Sequence, residues 1–116
     1  MRTYLLAAML LLTAFIFSYC KSSNKAGKTK MAKAHYTNSI QTLIVANCSP
    51  CHIPAKGGTK KPLDTYETAK TNIDNIIKRI ELNPTDRGFM PSRKPKLSDS
   101  TINAFKQWKA AGLKEN

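Results

Sequence analysis

The chain has 116 residues, 19 of them Lys or Arg against 7 Asp or Glu, and 41% of it is hydrophobic. That length holds one domain, and that balance excludes a collagen-like, mucin-like or wholly disordered chain and leaves no room for a long repeat array. What remains is a small basic globular domain, and about 80 foldable residues bury too little to stand without a disulfide, a metal or a cofactor.

The first element in chain order is an export signal. Met1-Arg2-Thr3 forms a short positive head, and Leu5 to Phe17 is an apolar run of secretory length. A membrane span wants about 20 such residues, and this run is shorter. It stops at Phe17-Ser18-Tyr19-Cys20, which resembles the lipobox of bacterial lipoproteins, where the cysteine is diacylated and becomes the new N-terminus. Ser18 suits that pattern, while Phe17 and Tyr19 depart from it; an uncleaved signal anchor and later cleavage are the alternatives. Residues 1–20 are thus expected to be a signal, with Cys20 as lipidation site and the domain held in the periplasm by lipid or by the uncleaved signal. Residues 21–34 carry five lysines and no acid and read as a flexible tether. Each lysine could add about 1 kcal/mol of attraction to anionic headgroups.

Residues 35–116 form the domain, and its apolar pattern is helical throughout. From Asn38 to Asn47, Ile40, Leu43 and Ile44 share one face, with Thr37 or Asn38 as cap. Ile53 to Pro62 is a loop by its Pro and Gly content. Asp64 is placed to cap a short helix from Thr65 to about Lys70. Ile73, Ile76, Ile77 and Ile80 follow the i, i+3, i+4, i+7 stripe of a buried helical face that ends before Pro84. Asn83 to Lys96 is a second, longer loop with three prolines and one glycine. Ser98 caps the last helix, with Leu97 and Ile102 as a hydrophobic staple, Ile102, Phe105 and Trp108 inside, and Gly112 as terminator.

The chemistry lies in Cys48-Ser49-Pro50-Cys51-His52, which the first helix delivers. A zinc site needs four ligands; the motif supplies three, and the distant His35, the only other histidine, would have to supply the fourth. A thioredoxin-like pair needs a βαβ frame, and no alternating strand pattern is near. A structural disulfide over two residues constrains the unfolded chain very little. Haem attachment fits best. Two thiols two residues apart can add to the two vinyl groups of a porphyrin, and the histidine that follows then lies under the iron as an axial ligand.

With these residues the chain resembles the small class I c-type cytochromes over about residues 36–113. A second signature, Phe89-Met90-Pro91, looks like the loop that brings a methionine sulfur to the sixth position of the iron in that family. A third is the run from Leu97-Ser98-Asp99 through Trp108 to Gly112, similar to the family's C-terminal helix. The resemblance implies an all-α fold of about four helices around one covalent haem c. It implies thioethers at Cys48 and Cys51, with His52 and Met90 on the iron. It implies that Phe105 and Trp108 cross the first helix around Ile40 and Leu43. It also implies that the carbonyl of Pro62, or of Pro54, accepts the Nδ1 proton of His52, with Leu63 on the haem face. His35 as sixth ligand and an open iron are the alternatives to Met90.

No acid pair, serine nucleophile or phosphate loop is recognisable, so the expected function is one-electron transfer in the bacterial envelope rather than catalysis. The domain carries 13 Lys or Arg against 7 acids, and Lys56, Lys60, Lys61, Arg93, Lys94 and Lys96 all lie in the two loops beside the ligands. A positive ring there suits an acidic docking face on a reductase or a terminal oxidase. Nucleic acid, the other usual partner of a basic chain, does not fit an exported protein. The alternative function is a haem-based sensor of a small molecule such as CO, NO or peroxide, or a haem subunit of a larger redox enzyme, with an open sixth position.

Overall fold

The computed structural model describes residues 34–116. The expected signal, Cys20 and tether residues 21–33 lie outside the described residues, whereas Ala34 already packs in the core at 6% exposure.

A π-helical turn, Tyr36–Ile40, runs directly into α1, Gln41–Cys48; a 3-10 turn at Pro54–Lys56 follows, then α2, Tyr66–Thr71, α3, Ile73–Glu81, and α4, Asp99–Ala110. The fold is all-α, and no strand occurs among the described residues. None of the described helices is long and apolar enough to cross a membrane.

The first helical segment begins earlier than its periodicity predicts. Neither Thr37 nor Asn38 is the cap. His35 precedes the segment in an extended conformation, and its carbonyl accepts the amides of Ser39 at 3.2 Å and Ile40 at 3.3 Å. The cause is Tyr36, which is 3% exposed and donates its hydroxyl to the Asp64 carbonyl at 2.8 Å. Burying so large a ring draws its backbone into the helix. Ile40 and Ile44 are fully buried on the same face, and Leu43 is half-buried beside them.

The cap of α2 is Thr65 rather than Asp64. Its Oγ1 accepts the Thr68 amide at 3.3 Å, while the Asp64 carbonyl accepts the Tyr36 hydroxyl. In α3 the isoleucine stripe holds, with Ile73, Ile76 and Ile80 buried and Ile77 packed at the margin. Buried Asn72 donates to the Thr68 carbonyl at 2.7 Å and so joins α2 to α3 without an unsatisfied amide. Two ion pairs, Lys106 with Glu81 and Lys109 with Asp74, link α3 to α4. Both are exposed and contribute little.

Ser98 caps α4, its Oγ accepting the Thr101 amide at 3.3 Å. At the far end Gly112 stands at φ +85°, its amide bound to the Lys109 carbonyl at 3.1 Å while the Leu113 amide reaches Trp108 at 3.0 Å. This double closure needs the left-handed residue that glycine supplies. The tail then returns to the first segment. The Lys114 carbonyl accepts both the Tyr36 amide at 3.1 Å and the Trp108 indole N–H at 2.8 Å. Tyr36, Tyr66 and Trp108 form one aromatic cluster with ring centroids 5.7 to 6.4 Å apart. The crossing of α4 on the first segment therefore falls on Tyr36–Ile40, which includes the expected Ile40, with Tyr36 in ring contact with Trp108.

Candidate haem site

Cys48 is the last residue of α1, and Ser49 leaves the helix in an extended conformation. The turn that follows is built from backbone. The amides of His52 and Ile53 bind the carbonyls of Cys48 at 3.1 Å and Pro50 at 3.0 Å. Loop 53–62 folds back on this turn, with Gly58 bound to Ile53 at 3.1 Å and Lys60 to Cys51 at 3.0 Å. A Cβ on Gly58 would stand 2.4 Å from the Pro50 oxygen and 2.6 Å from that of Cys51, so only glycine permits the approach. The Gly57-Gly58 pair marks a loop in the sequence; it does not mark which glycine closes it.

Both thiols are free. Burial pushes the Cys48 thiol up to about 11, against a smaller opposing pull from the Lys94 ammonium. Cys51 is exposed, and His52 is half-buried. The His52 Nδ1 lies 2.7 Å from the carbonyl of Lys61. The acceptor is thus neither Pro62 nor Pro54, but the residue before Pro62. The register follows from the Leu63 amide, which binds the His52 carbonyl at 3.0 Å and aligns residue 61 with the ring. With Nδ1 as donor, Nε2 keeps its lone pair, the arrangement that orients an imidazole toward a metal. Leu63 is buried beside it at 7% exposure.

Met90 lies in the second loop, half-buried against the core between buried Phe89 and Pro91. The loop closes the open end of α3, whose last carbonyls have no partner within the helix. The Met90 amide binds the Arg79 carbonyl at 3.1 Å, and Lys96 Nζ binds that of Glu81 at 2.8 Å. Four residues past Met90, Lys94 Nζ reaches the carbonyls of Ser49 at 3.3 Å and Asn47 at 3.5 Å, on either side of Cys48. The structure therefore brings the loop of Met90 against the turn of Cys48. His35 is not brought there. It lies at the opposite end of the same helical segment, roughly 18 Å away along the axis.

The model of the family described as cytochrome c oxidase, cbb3-type, subunit III matches residues 25–108, most of the chain. The chain belongs to that family. It is a small c-type cytochrome, and haem-based electron transfer is its chemistry. No curated protein and no solved structure matches it. The residues present fit a haem: two unpaired thiols on one turn, an imidazole held by its Nδ1 and a thioether on a loop docked to that turn. Lys61, Gly58, Arg79 and Lys94 all support this arrangement through backbone contacts. None carries a local sequence signal of that role.

Proposed function

We propose that the domain is a one-electron carrier of the bacterial envelope, with one haem c attached through Cys48 and Cys51 and with His52 and Met90 as axial ligands. When bound, the haem supplies a one-electron iron couple, and ligation by His and Met raises its potential. The observation that carries this reading is the 2.7 Å hydrogen bond from His52 Nδ1 to the Lys61 carbonyl, immediately after two free thiols. That bond fixes the tautomer and leaves Nε2 as the ligating atom. The half-buried Met90 thioether, on a loop docked to the same turn, is the natural second ligand.

Residues 1–20 would export the domain and Cys20 or the uncleaved signal would tether it, with residues 21–34 as spacer. Lys56, Lys60, Lys61 and Arg93 are exposed, and we read them as a docking ring for an acidic face on an oxidase complex or a reductase. Lys94 and Lys96 add charge there, although their ammonium groups already rest on backbone carbonyls.

Met90→Ala tests the axial assignment. The variant should keep its haem, lose the sulfur-to-iron absorption band of the oxidised protein, bind CO when reduced and show a lower potential. Identical spectra, potential and CO affinity in wild type and variant would remove Met90 from the iron and favour a sensor with an open sixth position.

A further inference from the structure

We propose that Arg79 is the positioning residue that keeps Met90 on the iron by fastening the second loop to the end of α3. The proposal rests on the reading of Met90 as axial ligand. Arg79 holds the loop at two points on either side of Phe89. Its carbonyl accepts the Met90 amide at 3.1 Å, and its side chain crosses back so that Nη1 donates to the Gly88 carbonyl at 3.1 Å. The guanidinium is aimed by a third contact, from Nε to Asn75 Oδ1 at 3.1 Å, one helical turn earlier. Gly88 is shaped for this. It stands at φ +94°, and a Cβ there would meet Nη1 at 3.0 Å.

Neither ion pair among the described residues involves Arg79, so its charge faces a neutral carbonyl rather than a carboxylate. A planar fork presents Nε and Nη1 in fixed directions and so holds Asn75 and Gly88 together, whereas a lysine offers only a point charge on a flexible stem. Lys94 and Lys96 also touch helix-end carbonyls, but both are exposed, whereas Arg79 is half-buried. The side-chain contact is therefore the one that limits how often the loop lifts, and each lifting withdraws the sulfur. An external ligand reaches the iron only in that open state, so its apparent affinity measures the open population.

Imidazole binding to the oxidised, haem-loaded full chain is the measurement, with far-UV circular dichroism and thermal unfolding on the same samples. Arg79→Met should raise imidazole affinity about tenfold, the size of one hydrogen bond to a charged group. Arg79→Lys should fall between that variant and wild type. Asn75→Ala should raise it about two- to threefold while its unfolding temperature stays level or rises, because alanine is the better helix former at an exposed position. A purely structural role would lower the unfolding temperature and leave the imidazole affinity of the folded protein unchanged. Imidazole affinity within twofold of wild type in Arg79→Met overturns the proposal. If that variant does not fold or load haem, an unchanged affinity in Asn75→Ala overturns it instead. Adding Arg79→Met to Met90→Ala should change nothing further. Wild-type imidazole affinity in Met90→Ala alone would instead mean that the axial reading had failed, independently of Arg79.

Discussion

The two ends of the first helical segment are held by different forces. At Tyr36 the chain is closed by burial: Trp108, Phe105 and Tyr36 are 0%, 1% and 3% exposed, and the tail adds backbone and indole hydrogen bonds on top of that packing. At Cys48 two loops meet, and across residues 49–63 and 83–97 only Ile53, Leu63, Phe89 and Pro91 are buried. Hydrogen bonds to backbone carbonyls hold this second end, supplied by amides, one arginine and two lysines. Burial gives the first end rigidity that does not depend on a ligand. The second end has donors and acceptors in place and little apolar area of its own, the state expected of a site completed by a large apolar cofactor.

The largest expected effect breaks the second end. Cys48→Ala together with Cys51→Ala should give a chain without covalent haem that has lost most of its helical signal, since four buried loop residues cannot replace the cofactor's burial. Haem retention after acidic acetone extraction and far-UV circular dichroism measure the two halves of this outcome. Native helicity in the haem-free double variant would show that the aromatic end alone suffices.

Breaking the first end should cost less and act differently. Trp108→Ala removes the largest fully buried side chain and should destabilise the protein by about 3–5 kcal/mol, read from chemical denaturation. If Met90 is the axial ligand as proposed, the folded fraction should keep the sulfur-to-iron band, because the ring contacts of Trp108 are with Tyr36 and Tyr66 at the end of the segment away from Cys48. Loss of the band in folded protein would mean that the ends are coupled.

A milder change at the same end has a pH signature. Burial, then the nearby Asp64 and Glu115 carboxylates, raise the Tyr36 phenol above its ordinary value. The unfolded chain therefore gives up this proton first, at about pH 10, so the stabilisation is complete below that pH and is lost as pH rises through the folded value. Tyr36→Phe removes the bond to the Asp64 carbonyl and should cost about 1 kcal/mol near neutrality. Its stability should then decline less steeply than wild type in alkali. Urea midpoints at about pH 8 and about pH 11 test this, and parallel declines would assign the alkaline loss to other groups.

What the sequence reveals divides along the same line. Ile73, Ile76 and Ile80, the Ser98 cap and the Gly112 terminator are legible because helical period and cap chemistry are local. Tyr36 and Thr65 are not, since the first bonds a carbonyl 28 residues away and the second stands next to Asp64, an equally good cap by residue type. In the candidate site, the Cys48-to-His52 spacing and the Met90 loop stand out by residue type. The carbonyl of Lys61 does not, because a carbonyl has no letter of its own and its register is set by Leu63. Arg79 and Lys94 read from sequence as surface charge, and their contacts with Gly88, Asn47 and Ser49 arise only when the second loop folds back.

The smallest effect on stability, and a purely kinetic one, concerns three lysines of the second end whose role in holding it is through backbone alone. Lys56, Lys60 and Lys61 are exposed, and changing all three to Gln should leave unfolding within about 0.5 kcal/mol of wild type. Lys61→Gln retains the main-chain carbonyl that His52 needs, so the site keeps its geometry. Lys94 is left in place, since its ammonium rests on the carbonyls beside Cys48 and its loss would mix docking with loop support. If these three charges steer an acidic partner, the wild-type rate of electron exchange should fall steeply with added salt, because fields beyond about 8 Å are screened at physiological ionic strength. The triple variant should react more slowly at low salt and show a flatter dependence, the two curves converging as salt rises. Stopped-flow reduction by an acidic redox protein over a salt series measures both slopes. Equal slopes would move the docking surface away from the first loop, to Arg93 and the outer side of the Met90 loop.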